Sequence, residues 1–153
     1  MPGHQIEITR DIAASPEAVW TVLTDVHHAA ETLTSVTRVE VLTDGPYAVG
    51  TRWRETRTMF GKEATEELWV TEVEAPRRTT VEGDSSGVHY VTVFTLSPLP
   101  TGTRLAMVFS GEQENPSMLH KAAWVLFGRM GLKASAKMMT RDLEDIAARA
   151  ESA

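Results

Sequence analysis

The chain of 153 residues carries 15 Lys and Arg against 21 Asp and Glu, a net charge of -6. That balance disfavours nucleic acid and anionic membrane surfaces, both of which are approached through positive potential. With no cysteine there is no disulfide framework, no thiolate zinc site and no cysteine nucleophile, and the length suits one domain, 1–153, around one core.

In chain order, Ile6, Ile8 and Ile12 share one parity around Glu7 and Thr9, the period of a half-buried strand from Gln5 to Ile12. A helix follows at once: Ser15 is a good N-cap, Pro16 suits the first helical position, and Ala18, Val19, Val22 and Leu23 form a stripe ending near Asp25. His27 to Leu33 reads as a second short helix. Six strand-like segments come next: Val36–Thr43, Thr51–Met59, Glu63–Glu74, Arg78–Gly83, Val88–Ser97 and Thr103–Glu112. The turn signals between them, among them Asp44-Gly45-Pro46, Ala75-Pro76 and Pro98 to Gly102, are short and imply antiparallel neighbours. Pro116 to Ala150 reads as one long helix. The fold class is therefore α+β, with seven strands in a strongly bent antiparallel sheet, two short helices between strands 1 and 2, and a long C-terminal helix on the concave face, a shape that leaves a cavity.

The N-terminal MPGHQIEI lacks the continuous apolar core of a signal peptide, so cytoplasm is the expected compartment. The most apolar run, Ala122 to Leu132, contains Arg129 and is far shorter than the roughly 20 residues of a membrane span. Within it stand Gly128 and Gly131. Leu119, Ala123, Leu126 and Met130 cluster on one side of a helix, whereas Leu132, Ala136, Met139, Leu143 and Ile146 cluster on another. A kink at Gly128 to Gly131 would let both stripes be buried, making 117–127 a lid or a homodimer contact; alternatively, the glycines only let the helix lie close to a strand.

The run Ile12-Ala13-Ala14-Ser15-Pro16-Glu17-Ala18-Val19-Trp20, followed by Leu23-Thr24-Asp25, resembles the opening of the START-like superfamily, in particular its polyketide cyclase/dehydrase group, often labelled SRPBCC. Val49-Gly50-Thr51-Arg52-Trp53, the stretch Val70 to Arg78, Phe94 to Pro98 and Gly102-Thr103-Arg104-Leu105 match in order, as does the ending from Asp142 to Glu151. The resemblance implies a helix-grip fold enclosing a pocket for an apolar or aromatic small molecule; no cofactor is expected. It implies no particular reaction, because these are motifs of fold.

Gly83-Asp84-Ser85-Ser86-Gly87 satisfies the nucleophile-elbow pattern, but that elbow needs strand, turn and helix, and here a strand follows. His27 and Glu31 have the spacing of two metal ligands, which are too few for a site, so no metal is expected. Arg52, Arg54 and Arg57, with Arg77 and Arg78, are interleaved with Glu55, Glu66, Glu67 and Glu72, a pattern that suits cross-strand pairing on a wet face.

Polar residues at inward parity are more informative. If Trp53 and Met59 face the cavity, so do Glu55 and Arg57. Tyr90, Thr92 and Phe94 form the next inward set, and Leu105, Met107 and Phe109 another. On strand 63–74, Glu67, Trp69 and Val73 are placed inward, with the opposite register nearly as good. Leu132, Ser135 and Met139 face the cavity from the long helix. These residues would bind a small hydrophobic, aromatic or polyketide-like molecule, and Glu55, Arg57 and Tyr90 would assist proton transfer in a cyclisation or dehydration. The alternatives are a satisfied ion pair that only shapes the hollow, and a non-catalytic carrier or sensor.

Overall fold

The computed structural model describes residues 4–59, 61–85, 88–113 and 129–153, and among them no helix is long and apolar enough to cross a membrane. Strand β1 (His4–Ile12) turns Ile6, Ile8 and Ile12 toward the core. Helix α1 (Pro16–Leu23) starts where its capping residue dictates. Ser15 has extended backbone, its hydroxyl accepts the Ala18 N–H at 3.2 Å, and Pro16 needs no N–H partner at that end. At the other end Thr24 donates its hydroxyl to the Trp20 carbonyl at 2.8 Å. The second short helix proves to be a 3-10 turn, Val26–His28, running into a single α turn, α2 (Ala29–Thr32).

Six strands follow: β2 (Val36–Val41), β3 (Arg52–Met59), β4 (Lys62–Glu74), β5 (Arg78–Ser85), β6 (Val88–Leu99) and β7 (Gly102–Gln113). Every neighbouring pair is antiparallel, in the order β1-β7-β6-β5-β4-β3-β2, and the sheet is curved. Where β6 turns into β7, Gly102 lies at φ +155° and a Cβ there would collide with the Ile12 carbonyl oxygen, so only glycine fits the corner. The chain closes with helix α3 (Arg129–Glu151). Gly131 lies in its first turn; Gly128, the kink expected there, and the lid or dimer face over 117–127 lie outside the described residues.

The inner face of the sheet is packed at two ends. At one end Ile12, Val19, Leu96 and Leu105 pack against Met139, Leu143 and Ile146 of α3. At the other, Val26, Trp53 and Val70 gather Val39, Leu68, Val73 and Val81 around them. Residue spacing on α3 explains its seat: Met139, Asp142, Leu143, Ile146, Ala147 and Ala150 are all buried, a single stripe at three- and four-residue intervals. Polar ties fix the helix to the short elements. The Asp145 carboxylate accepts the Thr34 N–H at 2.9 Å and its hydroxyl at 3.0 Å, and Glu151 accepts the Ala13 N–H at 2.9 Å.

Register in β4 corrects one expectation. Val70 pairs with Val81 and Glu72 with Thr80, so Thr71 is an extra residue, a bulge that reverses inward and outward along the strand. Val73 therefore packs inward beyond the bulge, while before it Ala64, Glu66 and Leu68 face inward and Glu67 and Trp69 face out.

Candidate functional site

Between the two packed ends lies a cavity of about 390 Å³, within the roughly 300–1,000 Å³ range usual for small-molecule pockets. Its walls are the inner faces of β3 to β7, the segment from Val22 to Leu33, and α3 from Ser135 to Ile146. The loop after β2 folds beneath the sheet and adds Tyr47, whose ring meets Trp20 edge-on at 6.3 Å.

A charged group stands in this largely apolar wall. Alternation along β3 brings Trp53, Glu55 and Arg57 to one face. Arg57 donates from Nε to Glu55 Oε2 at 2.6 Å and from its two terminal nitrogens to Asp142 Oδ1 and Oδ2 at 3.1 and 2.9 Å. The Trp53 indole N–H points to the other Glu55 oxygen at 3.5 Å. The side chains of Glu55, Arg57 and Asp142 are 12%, 17% and 7% exposed, so water screens this group little. Burial would pull the Arg57 guanidinium down, but the charges and hydrogen bonds of Glu55 and Asp142 outweigh it and hold the group well above its ordinary value. Burial pushes the Asp142 carboxyl above the usual aspartate value, and the opposing pull of Arg57 does not fully cancel it.

Glu66 faces the cavity directly across the β3–β4 pair from Glu55. Tyr90 and Phe109 stack with centroids 5.3 Å apart, and burial, with a smaller contribution from Glu66, raises the Tyr90 phenol. Burial also pushes Tyr47 up to about 12.

Of the residues singled out from the sequence, Trp53, Glu55, Arg57, Tyr90, Thr92, Phe94, Met107, Phe109, Ser135 and Met139 all line the cavity. Leu105 does not reach it: it is fully buried in the core beneath. Glu67 and Trp69 lie on the outer face because of the β4 bulge. There Arg52 pairs with Glu67 and sits 4.7 Å above the Trp69 ring. The Leu132 side chain lies outside the described residues. Ser85 ends β5 and pairs with Val88 across a hairpin, not at a strand-to-helix elbow. On the second short helix it is His28 that reaches carboxylates, Asp25 at 2.9 Å and Glu31 at 3.9 Å.

Asp142 is the functional candidate that sequence reasoning missed. Its signal was present: it stands three residues after Met139 and four before Ile146, on the buried stripe. Glu66 was missed with the bulge.

A curved sheet gripping a long helix, with a largely apolar hollow between them, defines the helix-grip fold. Residues 3–151 match the family model described as polyketide cyclase / dehydrase and lipid transport, and the chain belongs to that family. No curated protein matches it. Solved structures share the fold at low identity. Protein TTHA0849 from Thermus thermophilus superposes with a TM-score of 0.79 at 19% identity, over 97% of this chain and 98% of that one. A START superfamily protein from Mycobacterium smegmatis gives 0.77 at 15%, over 98% and 99%. The Zhui aromatase/cyclase from Streptomyces sp. R1128 gives 0.75 at 20%, over 97% and 93%.

Proposed function

We propose that this chain binds a small hydrophobic, predominantly aromatic molecule between the sheet and α3, oriented by the Glu55–Arg57–Asp142 group. The carrying observation is the hollow itself, an apolar space of about 390 Å³ with one buried charged cluster in its wall. Family membership supports the reading, since the family spans cyclases, dehydrases and lipid carriers. Trp53, Phe94, Met107 and Met139 supply contact area, and Glu55, Asp142, Thr92 and Ser135 supply polar contacts for orientation.

A second reading is catalytic. Glu55 is a carboxylate at the cavity surface, in contact with both a cation and an aromatic N–H. It could take a proton from a methylene flanked by carbonyls; the resulting carbanion would attack a second carbonyl of the same folded molecule, and Glu55 would return the proton to the alkoxide. Holding the chain folded would supply much of the rate. Tyr90, kept protonated by its surroundings, would serve as a donor to a carbonyl oxygen.

Mass spectrometry under native conditions, on the protein purified from its own host, tests binding: a co-purifying hydrophobic metabolite is expected. A metabolite-free protein that also fails to bind any neutral aromatic probe would overturn the reading. With the metabolite in hand, Glu55→Gln separates the two: a catalyst loses turnover by about 100-fold or more with affinity largely kept, whereas a carrier shows no turnover in either form.

A further inference from the structure

The polar groups that reach the cavity are weighted toward acid. Glu55, Glu66, Asp142 and Asp25 line it, and Arg57 is the sole Lys or Arg among the described lining residues. That guanidinium is already engaged, through Nε with Glu55 and through both terminal nitrogens with Asp142. Two hydrogens remain on the terminal nitrogens, but a ligand anion taking them would become a third carboxylate around one cation. Like charges so close in a poorly screened space repel strongly. With both carboxylates ionised, the Glu55–Arg57–Asp142 group carries -2 + 1 = -1, and this holds without Asp25, which pairs with His28, and without Glu66.

One uncharged group points the same way. Thr79 gives its one hydroxyl hydrogen to the Glu72 carbonyl at 2.9 Å, so in the 2.7 Å contact between them Tyr47 is the donor, and its oxygen is left able only to accept from a ligand. Each carboxylate oxygen likewise retains acceptor capacity beyond its bond to Arg57 or, for Glu55 Oε1, to the Trp53 indole. Around these acceptors stand the rings of Tyr47, Trp53, Tyr90, Phe94 and Phe109, whose faces attract cations. Among the described residues, carboxylates, aromatic rings and no uncommitted cation make a wall complementary to an ammonium group on an apolar body.

We propose that the cavity selects hydrophobic amines, bound as ammonium ions with the charged nitrogen against Glu55 and Asp142, and turns hydrophobic carboxylates away. This rests on the binding reading above and narrows its ligand class.

Isothermal titration with three probes of one shape tests it: 2-naphthylmethylammonium, 2-naphthylmethanol and 2-naphthoate at neutral pH. The ammonium is expected to bind about tenfold more tightly than the alcohol, and the carboxylate at least about tenfold more weakly than the alcohol. Glu55→Gln and Asp142→Asn should each bring the ammonium-to-alcohol ratio to within about threefold. In the wild type, the ratio should fall as pH is lowered and Asp142, whose carboxyl burial raises, takes up its proton. The other described charged and titratable groups that face it or line the cavity are Asp25 and Tyr47, then Glu55 and Arg57 on β3, Glu66 on β4, Tyr90 on β6 and Asp145 on α3; Arg57 and Tyr90 keep their protons throughout. The wild-type pH series decides the matter even if a variant fails to fold. A carboxylate that binds as tightly as the ammonium, or an ammonium-to-alcohol ratio near one at every pH, overturns the amine preference and leaves the cavity reading standing. If none of the three probes binds, both fall.

Discussion

Arg57 is the residue on which the interior depends most. It balances two carboxylates that have little access to water, and removing one member of such a group costs about 3–5 kcal/mol because the remaining charges stay buried. Arg57→Met, which keeps most of the volume, should lose stability of that order at neutral pH in urea unfolding, with the deficit shrinking as the pH falls and the Asp142 carboxyl, raised by burial, takes up its proton. The wild type shows the same sign more weakly. Because Asp142 has a raised carboxyl in the folded state, its contribution to stability is complete below its ordinary value of 3.8 and is lost as pH rises through the folded value. An Arg57→Met deficit that does not change with pH would contradict this assignment.

His89 is a second titrating residue, on the outer face. Its Nδ1 lies 2.6 Å from Asp84 and its Nε2 2.7 Å from Glu82, so both ring nitrogens meet acceptors and the ring is satisfied only as imidazolium. The hydrogen bonds it donates to Asp84 and Glu82 raise it, and its stabilising contribution is complete below 6.5 and disappears as pH climbs through the raised folded value. Comparing thermal unfolding of wild type and His89→Gln across pH should show a stability difference in favour of the wild type that narrows on the alkaline side. A difference that grows there would contradict the imidazolium.

At the scale of elements, β4 and β5 meet through a close fit. Gly83 faces Leu68, and a Cβ at that position would stand 2.6 Å from Leu68 Cδ2 and 3.1 Å from the Glu67 carbonyl oxygen. Gly83→Ala should push Leu68 into the cavity, cost about 1–3 kcal/mol through overpacking, and weaken binding of a neutral aromatic probe along with stability. Unchanged stability and affinity together would show that the sheet absorbs the methyl group.

The elements themselves were legible from local chemistry. The Ser15-Pro16 cap, the alternation of Ile6 and Ile8, and the Met139–Leu143–Ile146 stripe each act through neighbours a few residues away, and each appears where its pattern puts it. The bulge at Thr71 was not legible, because an extra residue in one strand shows only against its partner, and nothing in the local string of β4 marks it. One such residue moved Glu67 and Trp69 to the outer face and brought Glu66 and Leu68 inside. Asp142 escaped for a related reason: its partner Arg57 lies 85 residues away, and only the assembled fold makes the pair visible.

For the whole molecule, side chains pack the curved sheet at its ends and leave a hollow between. The two packed clusters leave a gap where α3 crosses the sheet, and the charged group bridges that gap from β3 to the helix. This arrangement ties the helix to the far side of the sheet by polar bonds and leaves apolar space beside them, which is why cavity and cluster occur together. Glu55, Arg57, Tyr90 and Phe94 were legible as a group because strand parity alone carries them to one face. Their use of one shared space depends on the sheet's curvature, which the sequence does not state.

The most direct measurement is a crystal structure of the protein soaked with 2-naphthylmethanol, a neutral probe whose binding does not depend on the preference for charge. The account predicts ring density enclosed between Trp53, Phe94 and Met139, with its hydroxyl toward Glu55 or Asp142. A space filled by side chains, with the probe on the outer face or absent, would contradict it.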